Sequence, residues 1–301
     1  MSDAEAPEAR VNGGGPVAAP DVSSPPPVAE PDRLRLGGMA LRNGLLIHGP
    51  THWAVAARRP DGEIEVASGR KPTLTRGRLG RLPLLRGPLR LAEALAIIPL
   101  ARMRLGSARL PFEDAGVGLA ALVSTAASGT LRRSADAPRS PARAALRELG
   151  IAALGALPAL TALRDPDLAA YHGVEHKAIG GYETRTDPSE VPKEHERCGS
   201  NLIAPMLALS VGGQVAVERW VPDPGPLSRG LAAVAGMGVA VELFAYAERN
   251  PKTSVGRAVH GSGHEIQRRV STREPTSEQL EVGVAALREI LRVEHEVADS
   301  A

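Results

Sequence analysis

The stretch GLAAVAGMGVAVELFAYA, Gly230–Ala247, decides the fold class. It is apolar or small throughout except for Glu242, and it approaches the roughly 20 residues a helix needs to cross a bilayer. Three further segments of similar composition precede it: Ala115–Leu131, Leu149–Leu163 and Cys198–Val217. Each has the length or near-length to enter a membrane, although the same runs could equally be buried helices of a soluble bundle. Apolar residues make up 43% of the 301, yet Phe, Trp and Tyr number only 2, 2 and 3, so burial must come from Ala, Leu, Val and Ile. That composition favours helices packed closely through small side chains. The expected fold is mainly α: a helical, membrane-associated bundle with a small N-terminal β-hairpin region and a C-terminal amphipathic helix.

The flanking sequence divides around this bundle. Residues up to Asp32 are rich in Ala, Pro and Ser, with six acids against Arg10, and read as a disordered acidic tail over 1–33 without the features of a secretion signal. In 34–88, Trp53–Val66 reads as two strands around Pro60-Asp61-Gly62, and Gly37-Gly38 and Gly49-Pro50 read as tight turns. The region 89–270 is the helical domain. In 271–301, Thr276 and Gln279 are spaced as a capping box ahead of Leu280, Val284, Leu287 and Leu291, which share one helical face. The acids Glu281, Glu289, Glu294 and Glu296 then form a solvated face.

Charge excludes some functions. A net charge of +2 with 23% charged residues is not that of a bulk nucleic-acid binder. Ten basic residues between Arg70 and Arg109 face the single acid Glu93, and with no aromatics among them they suit anionic lipid headgroups better than bases, while a merely solvated basic face reads as well. The single cysteine, Cys198, rules out an intramolecular disulfide.

The chemistry concentrates in Tyr171-His172-Gly173-Val174-Glu175-His176-Lys177. On a helix His172 and His176, at i and i+4, point from one face toward a shared ion, with Glu175 beside them. His-x-x-Glu-His is the inverted zinc-hydrolase pattern, in which the two imidazoles bind the metal and the carboxylate takes a proton from the metal-bound water. His195 and Cys198 follow nineteen residues later and supply two more candidate ligands from one turn. If all four bind, the site is closed and structural, and the protein is a membrane scaffold or assembly factor. If His195 or Cys198 does not bind, a position for water remains. Glu242 is a further candidate ligand, because an acid in an apolar run needs a cation; a salt bridge to an arginine such as Arg249 or Arg219 would serve equally. His260 and His264 repeat the spacing, but Gly261 and Gly263 favour a loop there.

Tyr-His-Gly-x-Glu-His-Lys followed by His-x-Arg-Cys-Gly-Ser resembles the signature of the domain-of-unknown-function 1385 family, also called YqhQ-like. Gly37–Pro50, Trp53–Ile64, Leu85-Arg86-Gly87, Glu242, Thr272–Pro275 and Gln279–Val282 resemble its other landmarks. Two blocks depart from it: Asn43-Gly44-Leu45-Leu46 replaces an acidic Glu-Gly-Val-Met, and Val259–His264 replaces a Pro-Gly-Leu-Trp run. The resemblance implies a metal-dependent, membrane-associated bacterial protein. The combined expectation is a divalent metal, zinc by its donors, held by His172, His176, His195, Cys198 and Glu242 with Glu175 as catalytic base. Membrane lipids would be partners, and both terminal regions and the metal loop would be cytoplasmic.

Overall fold

The computed structural model describes residues 9–11, 16–17, 33–75, 80, 82, 84–134 and 140–298. Most of the expected acidic tail lies outside these residues. Two short strands within it, β1 (Ala9–Val11) and β2 (Pro16–Val17), pair with each other, and β1 runs parallel to the last strand of the sheet that follows.

That sheet is an antiparallel meander of β3 (Gly37–Leu41), β4 (Gly44–His48), β5 (His52–Arg58) and β6 (Ile64–Arg70). The expected hairpin is β5–β6, turning at Pro60-Asp61-Gly62 and registered Ala56 to Val66. The sheet is larger than one hairpin. Gly37 and Gly38, read above as a turn, instead open β3, and the turn falls at Arg42-Asn43.

Alternating side chains send Leu45, Ile47, Ala54, Ala56, Ile64 and Val66 to one face and Leu46, Trp53, Val55, Ala57 and Ala67 to the other. Both faces are covered. The first packs on α4 (Pro166–Thr184) and α8 (Ser277–Ala298), the second on α1 (Arg86–Arg104) and the segment 105–110. The capping box of α8 forms as expected: Gln279 N–H donates to Thr276 Oγ1 (3.3 Å) and Thr276 N–H to Gln279 Oε1 (3.0 Å). Its acids do not make one solvated face. Glu289 and Glu294 are buried, Glu289 accepting from Ser68 Oγ and Glu294 from the Thr51 and His52 amides at 2.8 Å. A carboxylate buried this way is satisfied by the sheet edge beneath it.

The remaining helices are α2 (Ala115–Ser134), α3 (Pro141–Ala162), α5 (Ile203–Trp220), α6 (Pro226–Arg249) and α7 (Ser254–Ile266). α2 packs on α3, α3 on α5 and α5 on α6. Among the described residues three segments are long and apolar enough to cross a membrane: Ala142–Ala162, Gly199–Trp220 and Pro226–Arg249. Leu146, Trp220 and Leu227 are more than two thirds exposed on these segments. α2 forms where expected but is not one of the three.

One end of this bundle is tied by charge. Arg132 of α2 and Arg147 of α3 reach Glu148 at 3.0 and 3.3 Å, and Glu218 of α5 takes Arg147 and, at 3.1 Å, Arg229 of α6. At the opposite end the chain leaves α3 for α4, which packs on the sheet and α8, and the sheet meets the bundle through α1, which packs on α6 as well as on β5 and β6. The segment around His260 and His264 is helical rather than a loop: Gly263 allows α7 to lie directly against Asn201, and that packing outweighs the helix cost of glycine.

Candidate metal centre

α4 starts at Asp165, whose carboxylate accepts the Asp167 amide at 3.0 Å, with Pro166 in the first turn where its missing N–H costs nothing. From Leu168 to Tyr182 the helix is almost entirely buried between the sheet, α8 and the 185–198 loop. His172, Glu175 and His176 lie on one face at i, i+3 and i+4.

Both imidazoles are oriented by main-chain carbonyls. His172 Nδ1 lies 2.7 Å from the Ser271 carbonyl oxygen, and His176 Nδ1 lies 2.6 Å from that of Lys193. A carbonyl can only accept, so each Nδ1 carries the proton and each Nε2 presents a lone pair. His172 Nε2 faces Cys198 Sγ at 3.4 Å. His176 Nε2 is buried and has no hydrogen-bond partner. Ligand atoms of His172, His176 and Cys198 lie within 4.8 Å of one another.

Burial dominates the electrostatics of the cluster. Burial, reinforced by His172, pushes the His176 imidazole down to about 3, so it is neutral at any ordinary pH. Burial raises the Cys198 thiol, which the Ser200 amide offsets only in part. A divalent cation reverses that effect and favours the thiolate. Burial also lifts the Glu175 carboxyl to about 7, with His172 lowering it and Cys198 raising it. Glu175 reaches this position because Gly38 of β3 has no side chain: a Cβ there would stand 2.8 Å from Glu175 Cγ.

The other expected site residues are placed differently. His195 is held through its backbone by Gln267, which accepts its N–H at 2.7 Å and donates to its carbonyl at 3.1 Å. Its ring turns to Glu183, Nε2 to Oε2 3.1 Å, with a centroid 5.7 Å from that of His176. Glu242 makes the arginine salt bridge that was the alternative to a metal ligand, with Arg86 of α1, Oε1 to Nε 2.6 Å, and is not gathered with the histidines. The arrangement brings together His172, His176 and Cys198.

Two residues with a clear part escape the spacing argument. Lys177 is buried and donates to the Ser189 and Val191 carbonyls at 3.1 and 2.7 Å while pairing with Glu274 at 2.7 Å, which fixes the loop that presents Lys193 to His176. Gln267, on the π-helical turn Gln267–Ser271, also donates to Ser200 Oγ at 2.8 Å and so ties the Cys198 turn to the segment that holds His172. The signal for Lys177 is its place next to His176; nothing local marks Gln267.

Residues 165–293 match the family described as protein of unknown function DUF1385. The DUF1385 match runs from the N-cap of α4 into α8, and so contains all three clustered residues, Glu175, Lys177 and Gln267. The resemblance read from the histidine and cysteine motifs is thus matched by the family model over the segment that carries them. No curated protein and no solved structure gives a significant match.

Proposed function

We propose that the protein is a membrane-associated, metal-dependent hydrolase whose ion is held by His172, His176 and Cys198, with Glu175 as general base. The observation that carries this reading is the buried, unpartnered Nε2 of His176, in a cluster where ligand atoms of His172, His176 and Cys198 lie within 4.8 Å of one another. An orphaned buried acceptor costs about 1–3 kcal/mol unless something binds it. Two imidazoles and a thiolate suit zinc. The Nδ1 to carbonyl bonds are the outer partners that metal-binding histidines ordinarily have.

Three protein donors leave a fourth position, which is the arrangement of catalytic rather than structural zinc. A bound ion supplies Lewis acidity toward water and toward a carbonyl or phosphoryl oxygen. The chain supplies the rest. Glu175, poised at about 7, can accept a proton from water at neutral pH and return it to a leaving group. Its burial between α4 and β3 keeps the carboxylate from bulk solvent.

The three apolar segments, long and apolar enough to cross a membrane, support a membrane-embedded bundle. Only seven of the 36 Lys and Arg residues fall within 115–163 and 198–248. That sparseness of basic residues around the apolar segments supports a cytoplasmic position for the end that carries the metal loop, by the positive-inside rule. Cobalt substitution tests the reading. A thiolate-to-cobalt absorption band lost in Cys198→Ser, and a spectrum altered by azide, would support an open three-residue site. A band indifferent to azide would instead favour a closed structural site and a scaffold.

A further inference from the structure

We infer that this centre takes its substrate from the bilayer: a long-chain amphiphile whose reacting group sits at headgroup depth. The inference rests on the hydrolase reading above and adds the class of molecule.

It follows from where the ligands attach to the bundle. Cys198 immediately precedes Gly199–Trp220, and α4 begins at Pro166, four residues after Ala142–Ala162 ends. The centre is therefore stitched between the same ends of two apolar segments. Ile203, 48% exposed, opens α5 five residues after Cys198. Across the 3₁₀ turn Gly199–Leu202, at about 2 Å per residue, that separation is about 10 Å or less along the axis. The apolar segment itself begins at Gly199, the residue after Cys198, and the polar layer of a bilayer leaflet is about 5–8 Å thick, so the thiol sits at the headgroup layer.

The exposure of the cluster points the same way. Glu175 and His176 are buried and the Cys198 thiol lies buried in the cluster, whereas His172 is half-buried, so the centre is open on the His172 side. Val270, 44% exposed, stands next to Ser271, whose carbonyl holds His172. An exposed aliphatic side chain thus adjoins the residue that orients His172, and a water-borne polar substrate has no use for it. Lys252 and Arg257, exposed around the start of α7, supply the cations expected at an anionic headgroup layer.

The test uses the full chain, cobalt-substituted, in phospholipid vesicles, with alkyl hydroxamates of increasing chain length as probes. Dissociation constants are read from the cobalt absorption against the free aqueous concentration of each probe. A ligand whose chain stays in lipid while its hydroxamate reaches the metal should bind about fourfold more tightly for each added methylene. Enhanced ³¹P relaxation of the lipid headgroups by cobalt-loaded over zinc-loaded protein is expected alongside. Affinity independent of chain length, or headgroup relaxation equal for the two metals, overturns the inference while the cobalt spectrum leaves the metal site standing. Failure to form any cobalt spectrum overturns both.

Discussion

Replacing Gly173 by alanine should weaken the protein and its metal site together, although helix propensity alone argues the reverse. Glycine inside a helix costs about 1 kcal/mol relative to alanine, so in open space Gly173→Ala would stabilise α4. The space is not open. A Cβ at 173 would lie far inside contact distance of the Arg273 carbonyl oxygen and 3.5 Å from Pro275 Cδ. The neighbour is backbone, pinned by the Arg273 N–H to the Ala169 carbonyl at 2.9 Å, and cannot yield by a rotamer change. Overpacking of this kind costs about 1–3 kcal/mol, and loss of the Arg273 bond adds about 1 kcal/mol. After the propensity gain the net destabilisation is about 1–3 kcal/mol. Pushing 272–275 away also moves the Ser271 carbonyl off His172 Nδ1, now 2.7 Å away. Loss of such an outer partner lowers metal affinity about 10–100-fold. Competition against a chromophoric zinc chelator, with thermal unfolding in detergent, measures both. An alanine variant that is more stable than the parent and holds zinc within about twofold would refute the packing argument.

Three other outcomes follow from the same structure. Lys177→Met should leave the Ser189 and Val191 carbonyls without their donor, loosen the loop that carries Lys193 and lower zinc affinity in the same competition assay, whereas Lys177→Arg should recover part of it. Glu242→Gln should keep full metal content by elemental analysis while lowering the thermal midpoint, because Glu242 serves Arg86 rather than the ion. His48 is pushed down to about 4 by burial and by Lys71, whose ammonium lies 3.3 Å from its Nδ1. Its folded value lies below the ordinary 6.5, so the unfolded chain binds the proton first. Stability is complete above about pH 6.5 and is lost as pH falls toward 4, and His48→Gln should flatten that part of a denaturation profile.

Local chemistry made much of this molecule legible. Pro60-Asp61-Gly62 located a hairpin, Thr276 and Gln279 located the start of α8, and the i, i+4 spacing of His172 and His176 placed both rings on one face. What spacing alone left open was decided by contacts distant in the chain. His195 has the spacing of a ligand, but its loop is clamped by Gln267, 72 residues away, and the ring is turned to Glu183. Glu242 looked like an acid in need of a cation, and the cation is Arg86, 156 residues earlier. Gly37-Gly38 carries turn chemistry, yet Gly38 is a strand residue that makes room for Glu175. In each case a residue type announced a need, and tertiary packing decided what met it.

The most direct test of the metal centre is the zinc content of purified full-length protein beside His172→Ala/His176→Ala and Cys198→Ser variants, with helical content checked by circular dichroism. The account predicts about one equivalent in the parent, as three convergent donors imply, and loss of it in both variants with the fold retained. Metal-free parent protein, or zinc unchanged in folded variants, would contradict it.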